Sequence, residues 1–417
     1  MMTQAFYTGL SGLKSNQTTI DTISDNIANV STVGFRSYET EYKSLFEDYL
    51  NTATTHADST GIGVQVTASA MNNSMGNILQ SDRSSDLAIL GEGWFGIKDN
   101  DDTLYTRAGD FTFDRDNDLV TPDGHYVLGT MGSNISSDNI LTSVVDEVVL
   151  GDVNNQTSLS FPKDLTFPAQ PTTEVTFNGN LGTADETITM SASVIDTNNN
   201  KNNLKLVFTK TVPQVLPGSQ WDVVATTQTL DGTTVYDTKN GKVEFDGRGA
   251  LLSSTLTTID NNSTPVSIDL GSEFDGVVSI GSMPVSASST SNGTMGGDLI
   301  GYSINKNAEV IATFSNGMQS SVGKIAVYHF GNDQGLNRID GTRFAESSNS
   351  GRAIFYQDEN GKNINGTDIM NFHLEGSNVK LETGLTDLII YQRSYDANSK
   401  SITTADEMMQ KALQMDA

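Results

Sequence analysis

The sequence predicts a mainly β protein with an α-helix at each end, its β part nested as one domain emerging from another. Three observations carry that prediction. Heptad-like apolar stripes mark the first thirty and the last thirty-odd residues, and short alternating runs punctuated by Gly, Asn and Asp fill most of what lies between. Two crossings, near residue 160 and at 284–297, bound a stretch of the same β texture. At 417 residues the chain exceeds one ordinary domain. Only 18% of residues are charged and 36% hydrophobic, so Ser, Thr, Asn and 38 glycines supply much of the rest, a composition that suits turn-rich strands of sandwich or barrel type.

At the N-terminus Phe6, Leu13, Ile20 and Ile27 fall seven apart, and Ile23 and Val30 join Gly9 and Asn16 at the complementary position of a helical stripe. Polar residues and a glycine from Asn29 to Gly34 end that helix, and Phe35 follows as an apolar anchor. Tyr42, Leu45, Phe46, Tyr49 and Leu50 make a short amphipathic stretch, and TGIGVQV at 60–66 reads as a strand. DLAIL, GWFGI, TLYTRAGDFTFD and HYVLG continue at strand spacing. Pro162, Pro168 and Pro171 mark the first crossing, and PVSASSTSNGTMGG reads as a flexible second one. Between them lie VTFNGNL, KLVFTKTV and VEFDGRGALL; after them strands resume with IGYSINKN, EVIATFSN and KIAVYHF. The C-terminal stripe sets Leu381, Leu388, Tyr395, Ile402 and Met409 seven apart, with Tyr391, Asn398, Ala405 and Ala412 at its second position. Each terminal helix spans about 40 Å. The stripes fit either a helical hairpin closing one domain or a self-assembly element that orders against copies of itself. Asn16 and Asn398 within the seams favour register over stability, as in assembling coiled coils.

The net charge of −27 repels phosphate backbones and anionic lipid, which excludes nucleic acid and membrane surfaces as partners. No apolar run reaches the roughly 18 residues of a membrane span. Lys14 is the lone basic residue of the first thirty and no continuous apolar core follows it, so no ordinary cleaved signal is expected. The absence of cysteine excludes disulfides, thiolate metal sites and cysteine nucleophiles. Gly91, Gly93 and Gly96 satisfy GxGxxG, but IKDNDDTLYTR follows where a helix is needed, so a tight turn with Trp94 and Phe95 buried is expected. Asp114, Asp116 and Asp118 imitate a calcium loop whose sixth and twelfth positions are Leu119 and His125, so a solvated hairpin is expected. His56, His125, His329 and His373 lack metal-ligand spacing, and no nucleophile elbow or Walker loop occurs. The expectation is a protein that is not an enzyme, with no catalytic, cofactor or metal residues.

ANVSTVGFR at 28–36, after LxxxxxxIxxIxxNI, resembles the N-terminal signature of the flagellar rod and hook protein family; its residues here are Ala28, Asn29, Thr32, Gly34, Phe35 and Arg36. SDLAILGEGWFGI and LYTRAGDFTFDRDNDLVTPDGHYVLG resemble two further segments of that family. LEGSNVKLETGLTDLIIYQRSYDANSKSITTADEMM resembles its C-terminal motif and helix, with Arg393, Tyr395, Asn398 and Ile402. VTFNGNL, EFDGRGAL, ATFSNG and NDQGL are similar to the hook members in particular. Gly384 departs from the acidic residue more usual in that helix's first turn, which predicts a weaker start.

The resemblance implies a nested arrangement. Residues 1–30 with 385–417 form a helical coiled-coil domain, 31–71 with 365–384 a connecting segment, 72–159 with 293–364 a middle β-domain, and 160–292 an outer β insert. It implies polymerisation through a seam of Phe6, Leu13, Ile20, Ile23, Ile27, Leu381, Leu388, Tyr391, Tyr395, Ile402 and Met409. The expected product is a helical homopolymer: a short curved extracellular tube joining rod to filament as a flexible universal joint. The expected partners are a distal rod protein, a hook cap protein, a hook–filament junction protein and the flagellar type III export apparatus, which would export the chain without a cleaved signal. A distal rod or junction protein would share both ends, and a secreted carbohydrate-active β protein would need convergent carboxylates in a cleft.

Overall fold

The computed structural model describes residues 2–46, 61–99, 102–184, 187–214 and 217–415. Tyr49, Leu50 and His56 lie outside them. Helix α1 runs over Met2–Ala28 and helix α2 over Leu381–Met415. Residues at both ends of the chain meet in an antiparallel pair, since Gly9 faces Ile402, Gly12 faces Asn398 and Ile27 faces Gly384. α2 begins at Leu381 rather than at 385, with Glu382 supplying the acidic side chain of its first turn. Gly384 is explained by the pairing: a Cβ there would stand 3.3 Å from Ile27 Cγ1.

The amphipathic stretch around Tyr42 is a strand, Tyr38–Phe46, which pairs antiparallel with Gly61–Met71 in a hairpin lying on α1. Beyond it, strands from both sides of the insert share one sheet, because Gln319–Ile325 pairs with Tyr126–Met131, which pairs in turn with Trp94–Asp99. Phe95, Phe111, Val127, Phe314 and Val322 fill the core beneath. Phe161, Leu165 and Phe167 belong to this same core, and Thr166–Phe167 pairs with Gly297–Ile304. The insert therefore begins near residue 172 rather than at 160, because Phe161 and Phe167, which precede Pro162 and Pro168 of the first crossing, are residues that this core needs.

Within the insert, Ile188–Ile195, Lys201–Lys210, Ser219–Thr229, Val235–Phe245 and Leu251–Ser254 form an antiparallel meander. Burial alternates along ITMSASVI, the period-2 signature of a strand with one wet face. A second sheet faces it, in which Glu174–Asn180 runs parallel to Pro265–Asp269 and to Asp275–Val278. Phe177, Phe208, Trp221, Phe245 and Ile268 fill the space between. The supposed flexible crossing contributes a strand to this sheet: Ser286–Ser291 pairs antiparallel with Glu174–Asn180, and Ser289 Oγ donates to Ser191 O across to the meander. Backbone pairing holds this segment, so its serines need carry no apolar period. Phe208→Ala is expected to cost about 3–5 kcal/mol, the range for emptying a fully buried aromatic site. Loss of the insert's denaturant-unfolding transition, with the helix signal of circular dichroism unchanged, is the result that checks it.

Candidate assembly helices and the junction beneath them

The deepest positions of α1 are Gly9, Gly12, Ser15 and Thr19, not the apolar stripe. A Cβ at Gly9 would lie 2.8 Å from Ile402 Cγ1, and one at Gly12 2.7 Å from Asn398 Nδ2, so the absence of side chains lets the two backbones approach. Ser15 and Thr19 turn toward the hairpin. Ser15 Oγ donates to Val64 O at 3.3 Å, Val64 N donates to Ser11 Oγ at 3.2 Å, and Thr19 Oγ1 bonds Thr40 Oγ1 at 2.9 Å and the Tyr42 hydroxyl. Asn26 holds Tyr38 by both its N–H and its C=O, at 2.9 and 2.8 Å. Tyr42 stacks on Tyr391 with ring centroids 6.5 Å apart, and burial together with the hydrogen bond to Tyr42 pushes the Tyr391 phenol up to about 12.

The expected seam residues Phe6, Leu13, Ile20, Ile23, Ile27, Leu388, Tyr391, Tyr395, Ile402 and Met409 are all half-buried. Leu381 is not with them. α1 ends at Ala28, and Ile27 already faces Gly384, so nothing of α1 reaches back to cover Leu381. It aligns instead with Leu385 and Ile389 at i, i+4 and i+8, an outward stripe that with Ile390 remains between 43% and 54% exposed. Sequence reading passed over this second stripe because it counted the heptad alone; the four-residue spacing was the available signal.

The motif at 28–36 divides into two tasks. Ala28 is exposed, while Asn29 Nδ2 donates to Asp25 O at 2.9 Å and Thr32 Oγ1 donates to Asn29 Oδ1 at 3.1 Å, closing the helix end. Gly34, Phe35 and Arg36 then enter a buried junction with two other motifs. Glu375 receives Arg36 Nη2 on Oε1 and Arg107 Nε on Oε2, each at 3.0 Å. Gly76 N also donates to Oε1 at 3.0 Å, and Gly34 N to the Glu375 carbonyl at 2.7 Å. Arg107 also donates from Nη1 to Gly93 O and from Nη2 to Gly91 O, at 2.6 and 2.7 Å, and Arg36 Nη1 donates to Ser74 O. The three side chains are buried, Arg36 at 5% exposure and the others at 1%. Burial, with Arg107 adjacent, lowers Arg36 to about 10, and burial lowers Arg107 against the pull of Glu375. Beside the junction Arg338 reaches Asp25 Oδ2 at 3.0 Å and lies over the rings of Phe35 and Tyr38, at 5.4 and 5.0 Å, tying α1 to the β body. Of the C-terminal motif, Asn398 lies against Gly12 and Arg393 is exposed.

The glycine fingerprint is the turn between Leu87–Leu90 and Trp94–Asp99, with Gly91 and Gly93 at positive φ and Trp94 and Phe95 buried. At the acidic turn Asp114 Oδ1 accepts the N–H groups of Asp116 and Asp118, at 2.8 and 2.9 Å, within a hairpin. Among the described residues no three His, Asp or Glu side chains are grouped to hold a metal, and no helix is long and apolar enough to cross a membrane.

Three family models match the chain. One described as Flagella basal body rod protein matches residues 6–36, one described as Flagellar hook protein FlgE/F/G D1 domain matches 88–181, and one described as Flagellar basal body rod FlgEFG protein C-terminal matches 370–415. The chain is similar to the Flagellar hook protein FlgE of Borreliella burgdorferi, 26% identical over 447 residues covering 99% of this chain and 100% of the relative. It is likewise similar to that of Escherichia coli, 27% identical over 426 residues with 97% and 98% covered, and to that of Brucella suis, 28% identical over 418 residues with 96% of each covered. The solved structure of Helicobacter pylori flagellar hook protein FlgE2 shares the fold, with a TM-score of 0.53 at 17% identity, covering 71% of this chain and 100% of that one.

Proposed function

The chain belongs to the family of flagellar hook and basal-body rod proteins, and we infer from that premise that it is a structural subunit of the flagellar hook. The observation that carries the reading is the end-to-end alignment with hook relatives, insert included. It is a structural protein rather than an enzyme, and it works by polymerising within the flagellum.

In our reading the helix pair lines an inner tube, the junction and hairpin connect it to a middle β-domain, and the insert near 172–292 forms the outermost layer. Half-buried seam residues hold α1 to α2 within a subunit, and the outward stripe of Leu381, Leu385, Ile389 and Ile390 supports contacts between subunits. Apolar inner contacts resist torsion, while polar, wet contacts between outer domains exchange partners at little net cost as the tube bends. The chain travels through the flagellar type III apparatus without a cleaved signal and is added beneath a hook cap, between a distal rod protein and a hook–filament junction protein.

Sedimentation and electron microscopy of the full chain, beside a chain lacking 1–30 and 385–417, test the reading. Curved tubes are expected from the full chain alone; equal assembly by both would overturn it. Assembly is also expected to quicken with salt, because neighbours each carrying −27 repel and the screening length falls from about 10 Å at 0.1 M to about 3 Å at 1 M. A flat titration by light scattering would place the acidic groups away from subunit contacts.

A further inference from the structure

Two guanidinium groups share one buried site at the junction, and the carboxylate that binds both lies 268 residues beyond Arg107 in the chain. Asp333 acts on both arginines and Glu92 on Arg107, but through space. The segment that delivers Glu375 also interlocks with the N-terminal part. Ser37 N donates to Asn378 Oδ1 at 2.7 Å, while Asn378 Nδ2 donates to Asn72 O and Ser74 O at 2.8 and 2.9 Å. Gly76 and Gly376 meet so closely that a Cβ on Gly76 would lie 1.9 Å from the Gly376 carbonyl oxygen. α2 begins only six residues after Glu375.

We propose that Glu375 is an electrostatic latch: docking of the C-terminal segment neutralises the buried Arg36–Arg107 pair, and only then do the N-terminal segment, the hairpin and the helix pair settle on the β body. Leaving out the carboxylate strands two like charges in a largely buried site, the costly way to break a buried ion pair. The junction and both helices thus close in one cooperative step, and a chain lacking its last segment presents no finished helix pair. That consequence for assembly rests on the reading of the helices as the polymerising element; the latch itself does not.

Hydrogen exchange of the full-length Glu375→Gln chain tests it. Amides of 34–46, 61–78 and 376–390 are expected to exchange about 100-fold faster, while those of the 188–254 meander keep wild-type rates. Unchanged exchange at the junction overturns the latch, and so does general loss that includes the meander, since the device is local. Arg36→Met added to Glu375→Gln removes one stranded charge and is expected to recover at least tenfold of the lost protection; additive loss would make the role one of packing and overturn the latch. If the single variant loosens as expected yet polymerises at the wild-type rate, the latch stands and the assembly role of the helix pair falls.

Discussion

Ile389→Asp is expected to abolish tube formation while leaving the subunit folded. Ile389 stands 54% exposed on the outward stripe of α2, so the change removes little burial within the chain. Between subunits it forfeits the burial of an isoleucine, about 1.5–3 kcal/mol, and places a carboxylate against apolar neighbours. The lost burial alone should raise the critical concentration about 10- to 100-fold, since 1.4 kcal/mol is a factor of ten, and the carboxylate adds to that. Leu388→Asp, one residue earlier, should behave differently. Leu388 is half-buried on the seam side, so its substitution should lower α-helical circular dichroism in the monomer as well as prevent assembly. If Ile389→Asp sediments as wild type, the outward stripe takes no part in polymerisation.

Gly34→Ala is expected to be a strongly damaging single-methyl change at the junction. Gly34 has φ +69°, and a Cβ there would lie 2.3 Å from Ala108 N and 2.6 Å from Arg107 C, both backbone atoms. The left-handed conformation costs an alanine about 1–2 kcal/mol by itself. Relieving the collision must also pull Gly34 N from the Glu375 carbonyl, worth about 1 kcal/mol more. A total near 3 kcal/mol should appear as early proteolysis within 30–46, ahead of any cleavage in the insert. Wild-type resistance there would mean that Ala108 yields without strain.

The terminal helices were legible because a heptad of large apolar residues is a strong periodic signal, and the insert because VTFNGNL, KLVFTKTV and VEFDGRGALL keep strand texture between two crossings. Depth was not legible. The deepest line of α1 is Gly9, Gly12, Ser15 and Thr19, where the missing or small side chain is itself the contact, and hydrophobicity does not register that. Ser286–Ser291 was misread for a related reason: a strand held by its backbone carries no apolar period in its side chains. Arg36 was singled out by motif, while Arg107 and Glu375 passed as unremarked letters of two other motifs. Their chemistry exists only where segments hundreds of residues apart converge.

The way the insert is attached bears on how force travels through the subunit. Its incoming and outgoing strands run side by side, with Gln170 and Thr294 exchanging both backbone hydrogen bonds, at 2.8 and 2.9 Å, and with Asn292 Oδ1 accepting the N–H groups of Thr173 and Glu174. Tension carried along the backbone from one terminal helix to the other can therefore cross from residue 170 to residue 294 without traversing the 123 residues between. The insert hangs beside this path like a pendant on a closed ring. Its length and sequence are free to change with little effect on the stiffness of the part that transmits torque.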